Sequence, residues 1–236
     1  MPHQCYNASE KGVKNIGWLQ SNFTFSFSSY QNPTRTGFGL LKAFNDDFVQ
    51  PGFGFGLHPH TNMEIISVML HGSMNHKDSM GYAETVTKDW VQIMSAGSGL
   101  RHEEYNVGTD EVNFLQIWIE PKLQNITPRY QRRFFPEQQR INQLTTIVSN
   151  QEGTEHCWIN QNAQLCLGYY TLQTTIEYPV NHPNKGVFIF CISGNMVVNE
   201  QTLQARDAIG VWHTTSVLLQ CLPQCRFLLI ETPINH

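Results

Sequence analysis

Charge is scarce in this chain. Asp, Glu, Lys and Arg together make up 14% of its 236 residues, against the roughly 25% usual for soluble domains. With 15 basic and 19 acidic residues the net charge is −4, so the basic face that nucleic-acid binding favours is missing and no nucleic-acid partner is expected. No hydrophobic run approaches the ~20 residues that a membrane helix needs, and no membrane partner is expected either. The opening residues, MPHQCYNASEKG, are polar and hold no apolar core of the kind an export signal carries. A cytoplasmic location is the expectation. The six cysteines, Cys5, Cys157, Cys166, Cys191, Cys221 and Cys225, include no Cys-x-x-Cys pair. Without an export signal they read as small buried hydrophobes rather than disulfides.

Long helical periodicity is lacking too. Short alternating or apolar runs, broken by Gly, Asn, Asp and Pro, dominate from end to end. Phe23–Ser28 alternates cleanly and predicts a half-buried strand. Further strands are expected at Gly39–Phe44, Glu64–Leu70, Trp90–Met94 and Phe114–Ile119. In the second half they are expected at Cys166–Leu172, Val187–Ile192, Met196–Asn199, Ala208–Trp212, Val217–Cys221 and Phe227–Ile230. Regularly spaced short strands predict an all-β sandwich or barrel. The segment Pro128–Gln143 breaks the rhythm. Rich in Arg and Gln, it reads as a connection holding a short helix, with Arg129, Arg132, Arg133 and Arg140 making hydrogen bonds and ion pairs between two units.

A weak internal repeat supports two units. His60 lies twelve positions before Gly72, and His182 twelve before Gly194. Each histidine precedes an apolar strand, and Asp89 and Asp207 then open the next apolar run. Aligned this way, Val180 stands where His58 does, and Gly186 where Glu64 does. The second unit is therefore expected to keep the barrel without a metal site.

Two histidine-bearing pairs carry the chemistry. His58-Pro59-His60 places two imidazoles on one face of a strand, and His102-Glu103-Glu104 repeats the spacing with a carboxylate. On facing strands of a barrel, His58, His60, His102 and Glu104 would supply three nitrogens and one oxygen to a single divalent metal. Imidazole and carboxylate suit Fe(II), Mn(II), Co(II), Ni(II), Cu(II) or Zn(II), while the lack of nearby thiolates argues against a structural zinc cage. Glu103, opposite in strand parity, should point away. Phe53, Phe55 and Met94 are candidates for an apolar lining, and Gln92, Gln116 and His76 for polar contacts.

The stretch GFGLHPH followed by Glu64 resembles the first motif of the cupin superfamily. Ser95-Ala96-Gly97, then His102 and Asn106, resembles the second. HPHTNMEIISVMLHGSMNHKDSMG, IMSAGSGLRHEEYN, ITPRYQ and GWLQSNFTFSFSSY are similar to the pirin family over most of residues 15–135. Within it the chain resembles the bacterial pirin-like proteins with quercetin 2,3-dioxygenase activity. That resemblance implies two tandem jelly-roll-like cupin barrels, over 1–135 with the metal and over 136–236 without it, joined by connections with short helices. It implies His58, His60, His102 and Glu104 as ligands, Fe(2+) as the first expectation for the metal, and Glu104 as a base. Single-barrel cupins draw their carboxylate from the first motif, which makes Glu64 the alternative carboxylate, expected beside the metal rather than on it. The implied reaction is oxidative ring cleavage of a flavonol by dioxygen, with release of carbon monoxide. Eukaryotic pirins imply an alternative: a non-enzymatic, redox-responsive iron protein that modulates a protein partner such as a transcription regulator.

Overall fold

Period-two alternation becomes β-structure nearly everywhere in the computed structural model, which describes residues 1–180 and 182–234. The first half supplies β1 (His3–Tyr6), β2 (Gly12–Asn15), β3 (Leu19–Phe23), β4 (Leu41–Val49), β5 (Gly54–His60) and β6 (Glu64–His71). It continues with β7 (Ser73–Asp78), β8 (Ala83–Thr87), β9 (Trp90–Ser95), β10 (Leu100–Asn106), β11 (Val112–Ile119) and β12 (Arg129–Phe134). The second half supplies β13 (Gln143–Ser149), β14 (Cys157–Trp158), β15 (Gln164–Tyr170), β16 (Thr174–Pro179) and β17 (Lys185–Ser193). It ends with β18 (Met196–Val198), β19 (Gln201–Leu203), β20 (Ala208–Val211), β21 (Ser216–Cys221) and β22 (Cys225–Pro233). The helical segments among the described residues are two 3-10 turns, Ala8–Glu10 and Glu137–Arg140.

Each half is a seven-stranded sheet closed by a four-stranded one. The first runs β12-β9-β6-β11-β4-β3-β2 over β5-β10-β7-β8, the second β1-β20-β17-β22-β15-β13-β14 over β16-β21-β18-β19. Strand for strand the orders correspond, so β6 matches β17 and β11 matches β22, and Glu64 and Gly186 both lie at strand starts as the repeat predicts. One element crosses over. Residues 3–6, expected in the first barrel, form the edge strand of the second sheet by pairing with β20, the place that β12 takes in the first.

The largest hydrophobic cluster lies between the two seven-stranded sheets. It joins Phe44, Ile66, Val68, Leu115, Ile117 and Ile119 to Leu165, Leu167, Phe188, Phe190, Leu228 and Ile230. Strand parity then dictates what faces where. On β4, Phe44 turns toward the second half, as does Asp46, which accepts from Arg206 at 2.9 Å. Asn45 and Asp47 face the interior of the first barrel. On β11, Leu115 and Ile117 face the shared core, while Gln116 and Trp118 face inward. The second barrel's own interior is filled by Val187, Ile189, Cys191, Met196, Ile209, Val217, Leu219, Cys221, Phe227 and Leu229. All six cysteines are free thiols, five of them buried.

One expected strand is different. Of Phe23–Ser28, Phe23 alone lies in β3. From Thr24 the chain leaves the ladder: the Ser26 N–H bonds to the Arg35 carbonyl, and Ser28 turns with φ 53°. The alternation survives as packing, with Phe25 on Tyr6 and Phe188 and Phe27 on Trp118. The Arg-rich segment behaves as a clamp. Arg140 reaches Asp89 and the Phe135 carbonyl, Arg133 the His156 carbonyl, Arg132 Glu84, and Arg129 stacks over Trp158.

Candidate metal centre

β5 is the edge of its four-stranded sheet, which is where Pro59 can sit without a ladder donor. His58 and His60 flank it and project to the same side. Across the ladder His102 pairs with His58 and Leu100 with His60, and the register slips between His102 and Glu104. Such a bulge re-aims side chains locally. Gly54 makes room for it, because a β-carbon there would fall on the Glu104 carbonyl oxygen.

Three imidazoles converge as a result. Ring centroids are 4.7 Å apart for His58 and His60, 4.4 Å for His58 and His102, and 4.8 Å for His60 and His102. Their nitrogens form one cluster suited to a metal ion, and His76, His102 and Glu104 form a second that shares His102. Tautomers separate the two. The Asp78 carboxylate accepts from the His76 Nε2–H at 3.0 Å, which leaves His76 Nδ1 as an acceptor. His102 Nδ1–H donates to it at 3.4 Å. His102 Nε2 is then a bare lone pair, buried and without a hydrogen-bond partner. A bare, buried nitrogen of this kind suits metal ligation, and His76 is placed behind it to fix the ring. His58 is set the same way, since its Nδ1–H donates to the Gly56 carbonyl at 2.7 Å and leaves Nε2 free.

Electrostatics agree with a cation site. Burial, reinforced by the His58 imidazole, pushes the His60 pKa down to about 4. Burial and the neighbouring imidazoles push His102 to about 2. Both are neutral at ordinary pH, the form that ligates. Burial raises the pKa of Glu104. Gln92 donates to its Oε1 at 2.7 Å and is itself fixed by the Tyr130 hydroxyl at 2.9 Å. Gln116 Nε2 lies 3.5 Å from its Oε2.

His58, His60, Glu104 and Gln116 line a cavity of about 250 Å³, together with Phe23, Phe27, Phe55 and Trp118. Of the residues expected as lining, Phe55 and Gln116 are there. Phe53 instead stacks on Trp18 at the surface, and Met94 packs with Ile65, Leu100 and Tyr130. Gln92 and His76 contact Glu104 and His102 instead of lining the cavity. Glu103 points outward toward Lys77. The structure does not bring Glu64 to this cluster. It shares the parity of Ile66 and Val68, so it faces the second half, where its Oε2 accepts from Ser95 Oγ at 2.7 Å and the Asn160 N–H at 3.1 Å. Asp78, Tyr130, Asn45, Asp47 and Trp118 are additions that sequence reasoning missed. For Asp78 a signal existed: His76-x-Asp78 is itself an alternate-residue pair like His58-x-His60.

Residues 6–119 match the Pirin family and residues 146–232 the quercetinase C-terminal cupin domain. The chain is 36% identical to a quercetin 2,3-dioxygenase of Escherichia coli K12 over 96% of both chains. It is 32% identical to a pirin-like protein of Caulobacter vibrioides over 93% of this chain and 95% of that one. Among solved structures, YhhW from Escherichia coli superposes with a TM-score of 0.94 at 33% identity, covering 100% of this chain and 99% of that one. A second structure, of bacterial pirin YhhW in complex with nickel(II), gives 0.94 at 32%, covering 99% and 100%.

Proposed function

Because this chain belongs to the pirin family of two-barrel cupin proteins, we propose that it is a metal-dependent dioxygenase that opens a flavonol such as quercetin, with release of carbon monoxide. The observation that carries this reading is the bare, buried Nε2 of His102 beside His58 and His60, which line an aromatic cavity together with Glu104. The relatives' names, quercetin 2,3-dioxygenase, supply the substrate class. The donor set fits a divalent transition metal held by His58, His60, His102 and Glu104. Fe(II) is the first candidate for an oxygenase, and Mn, Co, Ni, Cu and Zn are compatible with the same donors.

Bound there, a divalent metal supplies Lewis acidity that lowers the pKa of an enolic hydroxyl. The protein does the rest. Phe23, Phe27, Phe55 and Trp118 sandwich a flat ring system and keep water from it. Glu104 receives the hydroxyl proton: its burial raises its proton affinity, which suits a proton acceptor. Gln92 and Gln116 hold the carboxylate in place before and after that transfer. The electron-rich enolate then reacts with dioxygen in the cavity.

Aerobic incubation of the Fe(II)-loaded protein with quercetin tests this directly. Loss of the flavonol absorbance with stoichiometric carbon monoxide is expected. Retention of the absorbance, with the metal verified in place, overturns it.

A further inference from the structure

The cavity over the metal ligands has a second polar wall that the reaction above leaves unused. Asn45 and Asp47 project into it from β4, in the sheet facing His58, His60 and Glu104. Their residues are 1% and 2% exposed, yet Asn45 Oδ1 and Asp47 Oδ1 have no hydrogen-bond partner. On the same lining, Trp118 Nε1 is a buried donor without an acceptor. A buried acceptor left unmade is costly, and these share one cavity. Evolution of a packed barrel has an inexpensive alternative, an apolar side chain at each position, and the other β4 residues of the same parity, Leu41, Ala43 and Val49, are of that kind. Asp47 is the more telling of the two. Burial, together with the Asp46 and Glu104 carboxylates, lifts its pKa to about 7 against the lowering effect of the Ser21 hydroxyl.

Two acceptors and one donor on a wall opposite a metal site describe the complement of a polyhydroxylated aromatic. We propose that Asn45 and Asp47 form a hydroxyl-recognition subsite, and that the ligand of this cavity carries phenolic hydroxyls in addition to the one at the metal ligands. Asn45 Oδ1 and Asp47 Oδ1 accept from those hydroxyls, and Trp118 Nε1 donates to a ring oxygen. These are specificity-determining residues: a site built to bond a hydroxyl discriminates strongly against the analogue that lacks it. The inference rests on the flavonol reading of the site.

The test is equilibrium binding, without turnover. The nickel(II)-loaded protein is titrated anaerobically with quercetin and with 3-hydroxyflavone, which keeps the metal-binding hydroxyl and ketone but has no other hydroxyl. Wild type should prefer quercetin by about 10- to 100-fold, in line with one or two hydrogen bonds to buried acceptors. Asp47→Ala and Asn45→Ala should each reduce that ratio several-fold, and 3-hydroxyflavone affinity should change little. Phe27→Leu, a wall variant, should weaken both ligands and leave the ratio alone, which separates lost recognition from a damaged pocket. Equal binding of the two flavonols by wild type, or a ratio unaltered in both Ala variants, overturns the subsite while leaving the dioxygenase reading intact. Failure of both flavonols to bind overturns the two together.

Discussion

At the residue scale, two carboxylates are candidates for the role of fourth ligand, and their surroundings differ. Glu104 shares a cluster with His102 and lines the cavity. Glu64 is turned to the second half, away from the His58, His60 and His102 cluster, and its Oε2 accepts from Ser95 and Asn160. Glu104→Gln should therefore lower nickel or cobalt affinity by at least 100-fold, and Glu64→Gln by less than 3-fold, when both are followed by calorimetric titration. His76 acts one layer further out. His76→Phe keeps the stack on Tyr130, whose ring lies 4.4 Å away, but removes the acceptor that fixes the His102 tautomer. Loss of such a partner usually weakens metal binding 10- to 100-fold, and the titration should show a drop in that range with the fold retained by circular dichroism. Asp47 gives a pH dependence. Its pKa is raised in the folded protein from 3.8 to about 7, so between those values the folded state holds more protons than the unfolded one. Its contribution makes stability fall as pH rises from about 4 to about 7, and the loss persists above. In the metal-free protein, Asp47→Asn should thus raise the melting temperature at pH 8 and change it far less at pH 4. The convergence of His58, His60 and His102 was legible in the sequence because a period of two puts His58 with His60 and His102 with Glu104 on common faces. Asn45 and Asp47 were not, since a polar Asn45-Asp46-Asp47 run looks like a loop until the register shows which residues face inward.

At the element scale, the β5–β10 pair is what turns two short motifs into one site. The slipped register between His102 and Glu104 depends on the two backbones meeting closely at Gly54, where any β-carbon would strike the Glu104 carbonyl and the Tyr105 Cα. Gly54→Ala should push the strands apart at the ligands themselves. A loss of about 1–3 kcal/mol in stability is expected from overpacking, with metal affinity down at least 10-fold. The equivalent change at Gly56, where Tyr105 Oη at 3.6 Å is the nearest atom, should leave both nearly unchanged. Chemical denaturation and metal titration of the pair of variants read this out. Ten of the expected runs became strands, for apolar stretches such as Val187–Ile192 and Phe227–Ile230 are buried on both faces and need no partner to identify them. Short or polar strands such as β8 and β19 gave no such signal, and Arg129–Phe134, read as part of a connection, pairs with β9 as β12. The exception, Phe23–Ser28, alternates because its phenylalanines plug three different ring contacts, and alternation alone does not separate that from a ladder. β1 was missed because four mixed residues, HQCY, form a strand only when β20 offers an edge.

At the scale of the whole molecule, the two barrels share their principal core rather than merely touching. Phe188 of the second half sits among rings supplied by the first: Phe44 at 5.0 Å, Phe25 at 5.7 Å, Tyr6 at 5.8 Å and Phe38 at 6.1 Å. β1 adds a covalent reason for coupling, since the chain's first strand completes the sheet of its last half. The four-stranded sheet that carries His58, His60, His102 and Glu104 therefore closes over a seven-stranded sheet whose back face is buried only while the second half is folded. The duplication in strand order explains why the second barrel survives without ligand clusters among its described residues: it is the other wall of the core. Independent halves would melt in two steps, with metal moving the first half's transition alone. A shared core predicts one transition that metal moves as a unit, by about 2.7 kcal/mol at a free metal concentration of 100 times Kd. Phe188→Ala, far from the ligands, should remove about 3–5 kcal/mol from that same single transition while leaving the metal-induced increment intact. Differential scanning calorimetry of wild type and variant, each with and without nickel(II), checks both statements. Two resolved transitions in wild type would mean that the barrels fold separately and that the common core is only an interface.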